Sequence, residues 1–308
     1  MRETTFDGYA IGIDLGGTRI KGVLIDLQSG EPVQQLSVDT RDGNAGNWKQ
    51  EIREMVSALK QLSFDEVKGI GLAAPGIASA DNQMIINMPG RMQGLEGFDW
   101  QALLQHPVFV LNDAHAALVA EAHYGSATGH SHALMLTLGT GVGGGLWLNG
   151  KLFQGNANRA GHLGHMILDV HNPELDITNV PGSLEQAIGN ATVPQRTFYK
   201  YNDTRELVAA YRQGEPIATR AWLDAVRQLA AGLASLINIF SPEVIVLGGG
   251  ITQADDALFG PLATFMDIYE WRPKGTAVPI KKASFTDLSG SIGAAVCSVK
   301  TFQFNQTV

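Results

Sequence analysis

Apolar residues recur along this chain at two spacings, and the spacings predict its elements. Over 46–62, Trp48, Ile52, Met55, Val56, Leu59 and Leu62 follow a helical period, with Lys49, Glu51, Arg53, Glu54 and Lys60 opposite. Over 218–240, Leu223, Val226, Ala230, Leu233, Ile237 and Phe240 follow a 3, 4, 3, 4, 3 spacing that Ser241-Pro242 stops. Shorter apolar runs read as buried strands: Val67 to Ala74 before a Pro75-Gly76 turn, Pro107 to Leu111 ending on Asn112-Asp113, and Glu243 to Leu247 entering Gly248-Gly249-Gly250. Asn87-Met-Pro-Gly90 reads as a turn, 114–124 as a helix, and Asp287 to Val296 as a small-residue helix able to pack closely. Strands alternating with helices predict an α/β fold, in which ligands sit at the carboxyl ends of strands. Asn112 and Asp113 occupy such an end, where they read equally as a helix cap.

Two segments share one logic. Ile11 to Asp26 reads as strand, Gly16-Gly17-Thr18 turn, strand; Ala133 to Leu152 reads as strand, Gly139–Gly145 turn, strand. Glycine permits positive φ and close approach of backbone N–H groups to a phosphate. Thr18 adds a hydroxyl donor, and Asp14 stands where a carboxylate holds a hydrated Mg²⁺. An ordinary hairpin is the plainer reading of the first segment. Two such units about 120 residues apart suggest a duplicated architecture, each half offering one phosphate-binding hairpin to a cleft between them. Gly139, Gly141 and Gly144 also satisfy G-x-G-x-x-G, but they open a strand rather than the helix a dinucleotide site requires.

Ala160-Gly-His-Leu-Gly-His-Met166 is followed by His171 and by Glu185. His162 and His165 are candidates for a metal pair that His171 or Asp169 would complete. The preferred reading is sugar contact through imidazole and carboxylate hydrogen bonds. The glycines at 248–250 suit an adenine or ribose lying on backbone, or form a plain loop.

Composition narrows the class. The 308 residues suffice for two lobes, and 44% hydrophobic content supplies their cores. Charged residues make up 17%, below the ~25% typical of globular chains. The net charge of −8 comes without a basic stripe, which argues against nucleic acid as a partner. Cys297 is the sole cysteine, so neither an intrachain disulfide nor a cysteine-based zinc site is available. Met1 to Gly8 is polar, and no continuous apolar run reaches the ~18 residues of a membrane span. A soluble cytoplasmic protein is the expectation.

Taken together, these segments resemble the ROK family of sugar kinases, within the actin-like/hexokinase ATPase superfamily. The resemblance rests on Asp14-Leu-Gly-Gly-Thr18, Asn112-Asp113, Gly139-Thr-Gly-Val-Gly-Gly-Gly145, Gly161-x-x-Gly-His165, Ser183-Leu-Glu185, Val246-Leu-Gly-Gly-Gly250 and Gly290-x-x-Gly-Ala-Ala295. It implies a two-lobed α/β, ribonuclease H-like fold with a smaller lobe of residues 1–113 plus 290–308 and a larger one of 114–289. It implies ATP- and Mg²⁺-dependent phosphorylation of a hexose or hexosamine at a terminal hydroxyl, by a homodimer. Asp113 matches the general base; Asn87, Asn112, His162, His165 and Glu185 fall on the sugar side. Asp14, Gly16, Gly17, Thr18, Lys21, Gly139, Thr140, Gly141, Gly248, Gly249 and Gly250 fall on the ATP side, with Asp14 near Mg²⁺ through water.

Two departures from the family pattern stand out. Many members carry a Cys-x-Cys-Gly-x-x-Gly-Cys zinc loop before the glutamate that matches Glu185, with the His165 equivalent as fourth ligand. Residues 172–183 here contain no cysteine, so no structural zinc is expected, and packing and hydrogen bonds must hold His165. The family's usual Glu is replaced by His162, which both donates and accepts and so reads hydroxyls differently. A sugar-binding protein without catalysis is the alternative. Only ten residues precede Ile11, too few for the helix-turn-helix of the family's repressors.

Overall fold

The computed structural model describes residues 7–40, 47–88, 90 and 92–304, the side chains of 300–304 excepted. The polar segment 1–6, the expected helix start at 46, Pro89 of the expected Asn87–Gly90 turn and the chain end after 304 lie outside the described residues.

The chain begins with β1 (Tyr9–Leu15), β2 (Arg19–Asp26), β3 (Pro32–Asp39), α1 (Asn47–Gln61) and β4 (Val67–Ala74). It continues through β5 (Ile77–Ala78), β6 (Ile85–Asn87), α2 (Trp100–Leu104), β7 (Val108–Asn112) and α3 (Asp113–Tyr124). Then come β8 (Ala133–Leu138), β9 (Val142–Leu148), β10 (Lys151–Phe153), α4 (Leu184–Ile188), α5 (Val193–Arg196) and α6 (Thr204–Arg212). The last elements are α7 (Pro216–Phe240), β11 (Val244–Gly248), α8 (Asp256–Tyr269), β12 (Ile280–Lys282) and α9 (Ser289–Phe304).

Two compact units result: residues 1–129, 151–160 and 284–308 form the first, and 130–150 with 161–283 the second. The expected boundary after residue 113 is thereby moved. Helix α3 packs on α9 of the first unit, and a Cβ at Gly293 of α9 would strike the backbone oxygen of Ala116. The buried carboxylate of Glu121 accepts from Ser126 N at 2.7 Å and Phe285 N at 2.9 Å, which ties down both chain segments near the ends of the first unit.

In the first unit the strand order is β3-β2-β1-β4-β7, antiparallel from β3 to β1 and parallel from β1 to β7. Ile11, Ile13 and Leu15 of β1 and Trp48, Ile52 and Leu59 of α1 are buried between sheet and helix, as the periodicity of α1 required. On the other face, Gly12 and Gly71 leave no side chain where α9 brings the backbones of Ser291 and Ala294. Small residues on α9 are what permit that approach.

The second unit repeats the pattern. Its strands run β9-β8-β11-β12, with the antiparallel hairpin β8–β9 followed by parallel β11 and β12. Helix α7 buries Trp222, Val226, Leu229 and Leu233, with Leu223 and Phe240 at the margin of the stripe rather than at its centre. By length and composition α7 also passes for a membrane span, but half of its apolar window is buried inside the protein, which is what a core helix requires.

Candidate active site

The first unit gathers an acidic group at the carboxyl ends of its parallel strands. Asp14 is the last residue of β1 paired with β4, and Asp113 follows β7 on the other side of β4. Lys21 faces Asp14 across the β1–β2 register, and its Nζ lies 3.6 Å from Asp287 Oδ1. Gly290 opens α9 beside this group, where a Cβ would stand 2.8 Å from Asp14 Cγ. Burial first, and then the charges of Asp113 and Asp287, push the Asp14 carboxyl up to about 7 against the pull of Lys21. A carboxylate so destabilised is relieved by a cation. Hard oxygen donors of this type suit Mg²⁺, which binds proteins through one or two carboxylates and retained waters.

Asn112 is the cap of α3. Its Oδ1 accepts from Ala114 N at 3.0 Å and His115 N at 3.2 Å, while Nδ2 donates to Gly76 O at 3.0 Å. Buried and engaged at both ends of its amide, it spends its side chain on backbone and leaves Asp113, the first residue of α3, exposed. Asn87 is exposed at the end of β6.

The glycine turns differ from expectation in a useful way. Gly16 and Gly17 do not take positive φ. Gly16 is needed for space, since a Cβ there would lie 2.8 Å from Arg19 O. The turn through Gly16, Gly17 and Thr18 is closed by Gly16 N donating to Arg19 O at 3.1 Å and by Thr40, which donates through its N to Thr18 O and through its hydroxyl to Gly16 O. Nothing in the local pattern marked Thr40 for that task. In the second unit the turn shrinks to Gly139–Gly141, because Val142 to Gly145 pair with β8 as strand. A side chain at Gly144 would strike Gly161 O and Leu163, so the glycine there serves packing.

The Gly139–Gly141 turn is buttressed by Asn190 N on Gly139 O at 2.9 Å and Ala191 N on Thr140 O at 3.0 Å. Gly139, Thr140 and Gly250 line one cavity of about 600 Å³ with Asn190, Thr204 and Arg212. Three residues expected on the ATP side thus converge within one unit. Gly248 and Gly249 do not line it: Gly248 is buried in β11, and Gly249, at φ 86°, lies against the backbone of Leu138. The contribution of α6 was missed. Asp203 and Glu206 carry a visible N-terminal capping signal, with Asp203 Oδ1 accepting from Glu206 N at 2.8 Å, but nothing local placed that helix beside Gly250.

Glu185 lies in the first turn of α4, buried, with Oε2 accepting from Val142 N at 2.8 Å. Gly141 leaves the space its carboxylate fills. Burial, and then the charge of Asp176, raise the Glu185 carboxyl against the Val142 N–H and His165. Its Oε1 is buried and accepts no hydrogen bond among the described residues. His162 and His165 lie with rings nearly parallel, centroids 6.4 Å apart. His171 and Asp169 do not complete a ligand set with them; His165, Asp176 and Glu185 do come together, with ligand atoms within 4.8 Å of one another. This set does not fit a structural zinc. Such sites take four nitrogen or sulfur ligands, whereas here Asp176 already accepts four hydrogen bonds and Glu185 is bonded to the Val142 N–H.

The model of the ROK family matches residues 10–300. The glucokinase of Thermotoga maritima is 31% identical over 281 residues, 82% of this chain and 85% of that protein. The N-acetylgalactosamine kinase AgaK of Shewanella sp. strain ANA-3 is 30% identical over 299 residues, 92% of this chain and 95% of that one. The crystal structure of a ROK hexokinase from Thermus thermophilus superposes with a TM-score of 0.84 at 29% identity, covering 96% of this chain and 99% of that chain.

Proposed function

Because the chain belongs to the ROK family and has the α/β, actin-like ATPase fold of its kinases, we propose that it phosphorylates a hexose or hexosamine at a terminal hydroxyl with ATP. The observation that carries this reading is the carboxylate pair at the strand ends: Asp14 is pushed up to about 7 beside Asp113, an arrangement that calls for a cation. Phosphoryl transfer needs charge neutralisation and positioning more than covalent chemistry.

Asp113 accepts the hydroxyl proton as the sugar oxygen bonds to the γ-phosphorus and the bond to the ADP oxygen breaks. Exposure at the start of α3 leaves its carboxylate accessible for that role. A Mg²⁺ held by Asp14 through water neutralises phosphate charge when bound. Thr18 and the Gly139–Gly141 turn offer donors to phosphate, and the cavity beside Gly250 has the size and the mixed polar lining for an adenosine. Glu185 and His165 hold sugar hydroxyls. His162 tunes which hydroxyl pattern is accepted.

A coupled ADP-release assay across hexoses, hexosamines and ketoses, with and without Mg²⁺, tests the reading. Mg²⁺-dependent, sugar-dependent ADP release is expected; ADP release indifferent to every sugar would overturn it.

A further inference from the structure

The segment between Asn172 and Ser183 closes around one buried carboxylate. Asp176 Oδ1 accepts from Thr178 N at 2.8 Å, Thr178 Oγ1 at 2.8 Å and Val180 N at 2.9 Å. Its Oδ2 accepts from Ser183 Oγ at 2.6 Å, and Ser183 Oγ in turn accepts from Gln186 N at 3.1 Å as the cap of α4, the helix that carries Glu185. Burial alone would raise the Asp176 carboxyl, but the hydrogen bonds from Ser183, Val180 and Thr178 outweigh it and hold the group below its ordinary range. The carboxylate therefore stays charged and accepts only.

This orders the protons around His165. His165 Nδ1 lies 3.4 Å from Thr178 Oγ1 and 3.7 Å from Asp176 Oδ2. The one hydroxyl proton of Thr178 points to Asp176 Oδ1, so toward the imidazole that oxygen can only accept. Both neighbours of Nδ1 are then acceptors, and the proton of neutral His165 belongs on Nδ1, leaving a lone pair on Nε2. We infer that Asp176 is a positioning residue that, through Thr178 and Ser183, sets His165 as an Nε2 acceptor within the side-chain cluster that also holds Glu185, so that the second unit selects ligands presenting hydroxyl donors. The inference rests on the sugar-kinase reading for the identity of the ligand; the proton placement rests on the hydrogen bonds around Asp176 and Thr178 and on the charge they hold on Asp176.

The tautomer is read directly from long-range nitrogen–proton NMR spectra of the ¹⁵N-histidine-labelled full chain at neutral pH, with His165→Gln identifying the signals. Wild type is expected to carry the His165 proton on Nδ1. Asp176→Asn turns an amide NH₂ toward Ser183 and His165 and is expected to move that proton to Nε2. Thr178→Val is expected to raise the sugar KM about tenfold with kcat little changed, and Thr178→Ser to restore it. A wild-type proton on Nε2, a Thr178→Val KM equal to wild type, or one tightly bound metal per chain would each overturn the inference. The spectra are taken without nucleotide or sugar, so absence of turnover with every sugar strikes the kinase reading and leaves the tautomer to decide this one.

Discussion

Asp14 and Asp113 stand at the carboxyl ends of parallel strands separated only by β4, and the charge of Asp113 helps burial push the Asp14 carboxyl up to about 7. The sign of the linkage follows. Between 3.8 and about 7 the folded protein keeps a proton on Asp14 that the unfolded chain has released, so this group lowers stability as pH rises through that window and no further above it. Asp14→Asn removes the charge. Relative to wild type its melting temperature should climb from pH 5 to 7 and level off, while Mg²⁺ stabilises wild type alone. A wild-type-minus-variant difference that ignores pH would contradict this.

Asp113→Ala should lower turnover by ~10²–10⁴-fold, the usual contribution of a general base, with sugar binding by calorimetry largely retained. The residue is exposed at a helix start, so folding should survive the change. Near-normal turnover would remove Asp113 from the chemistry.

Gly141 and Gly139 belong to one turn but answer to different neighbours. A Cβ at 141 would strike Glu185, whereas one at 139 meets nothing within 4 Å. Gly141→Ala should displace Glu185 and weaken sugar binding; Gly139→Ala should leave the melting temperature nearly unchanged. Equal effects of the two on melting and on sugar KM would show that Glu185 does not depend on that space.

Gly293→Ala should destabilise by about 1–3 kcal/mol or more, because the added methyl meets the backbone oxygen of Ala116, and backbone cannot rotate away as a side chain can. Urea denaturation measures it, and a loss below about 0.5 kcal/mol, the range of neutral surface changes, would mean that α3 and α9 can separate slightly at little cost.

His162→Glu restores the carboxylate usual in the family and should reorder the preference among hexoses in the ADP-release assay. An unchanged ranking would show that position 162 does not read the sugar.

The sequence by itself determined the elements and their kinds. Helix α1 and strands β1, β4, β8 and β11 were legible because burial on one face imposes a period that composition records directly. Repetition of the glycine hairpin announced two similarly wound sheets, and the family motifs singled out Asp14, Asp113 and Glu185 as candidates. Tertiary structure decided what those glycines and polar residues are for. The reason Gly141, Gly144 and Gly293 lack side chains lies in atoms 17 to 177 residues away in the chain, which no local pattern encodes. Asp176 is the sharpest case. In sequence it is one acid in a loop without cysteines; only folding brings Thr178, Val180, Ser183 and His165 to its two oxygens. Hydrogen bonds act over about 3 Å, so proximity in space, not order along the chain, decides where each proton sits.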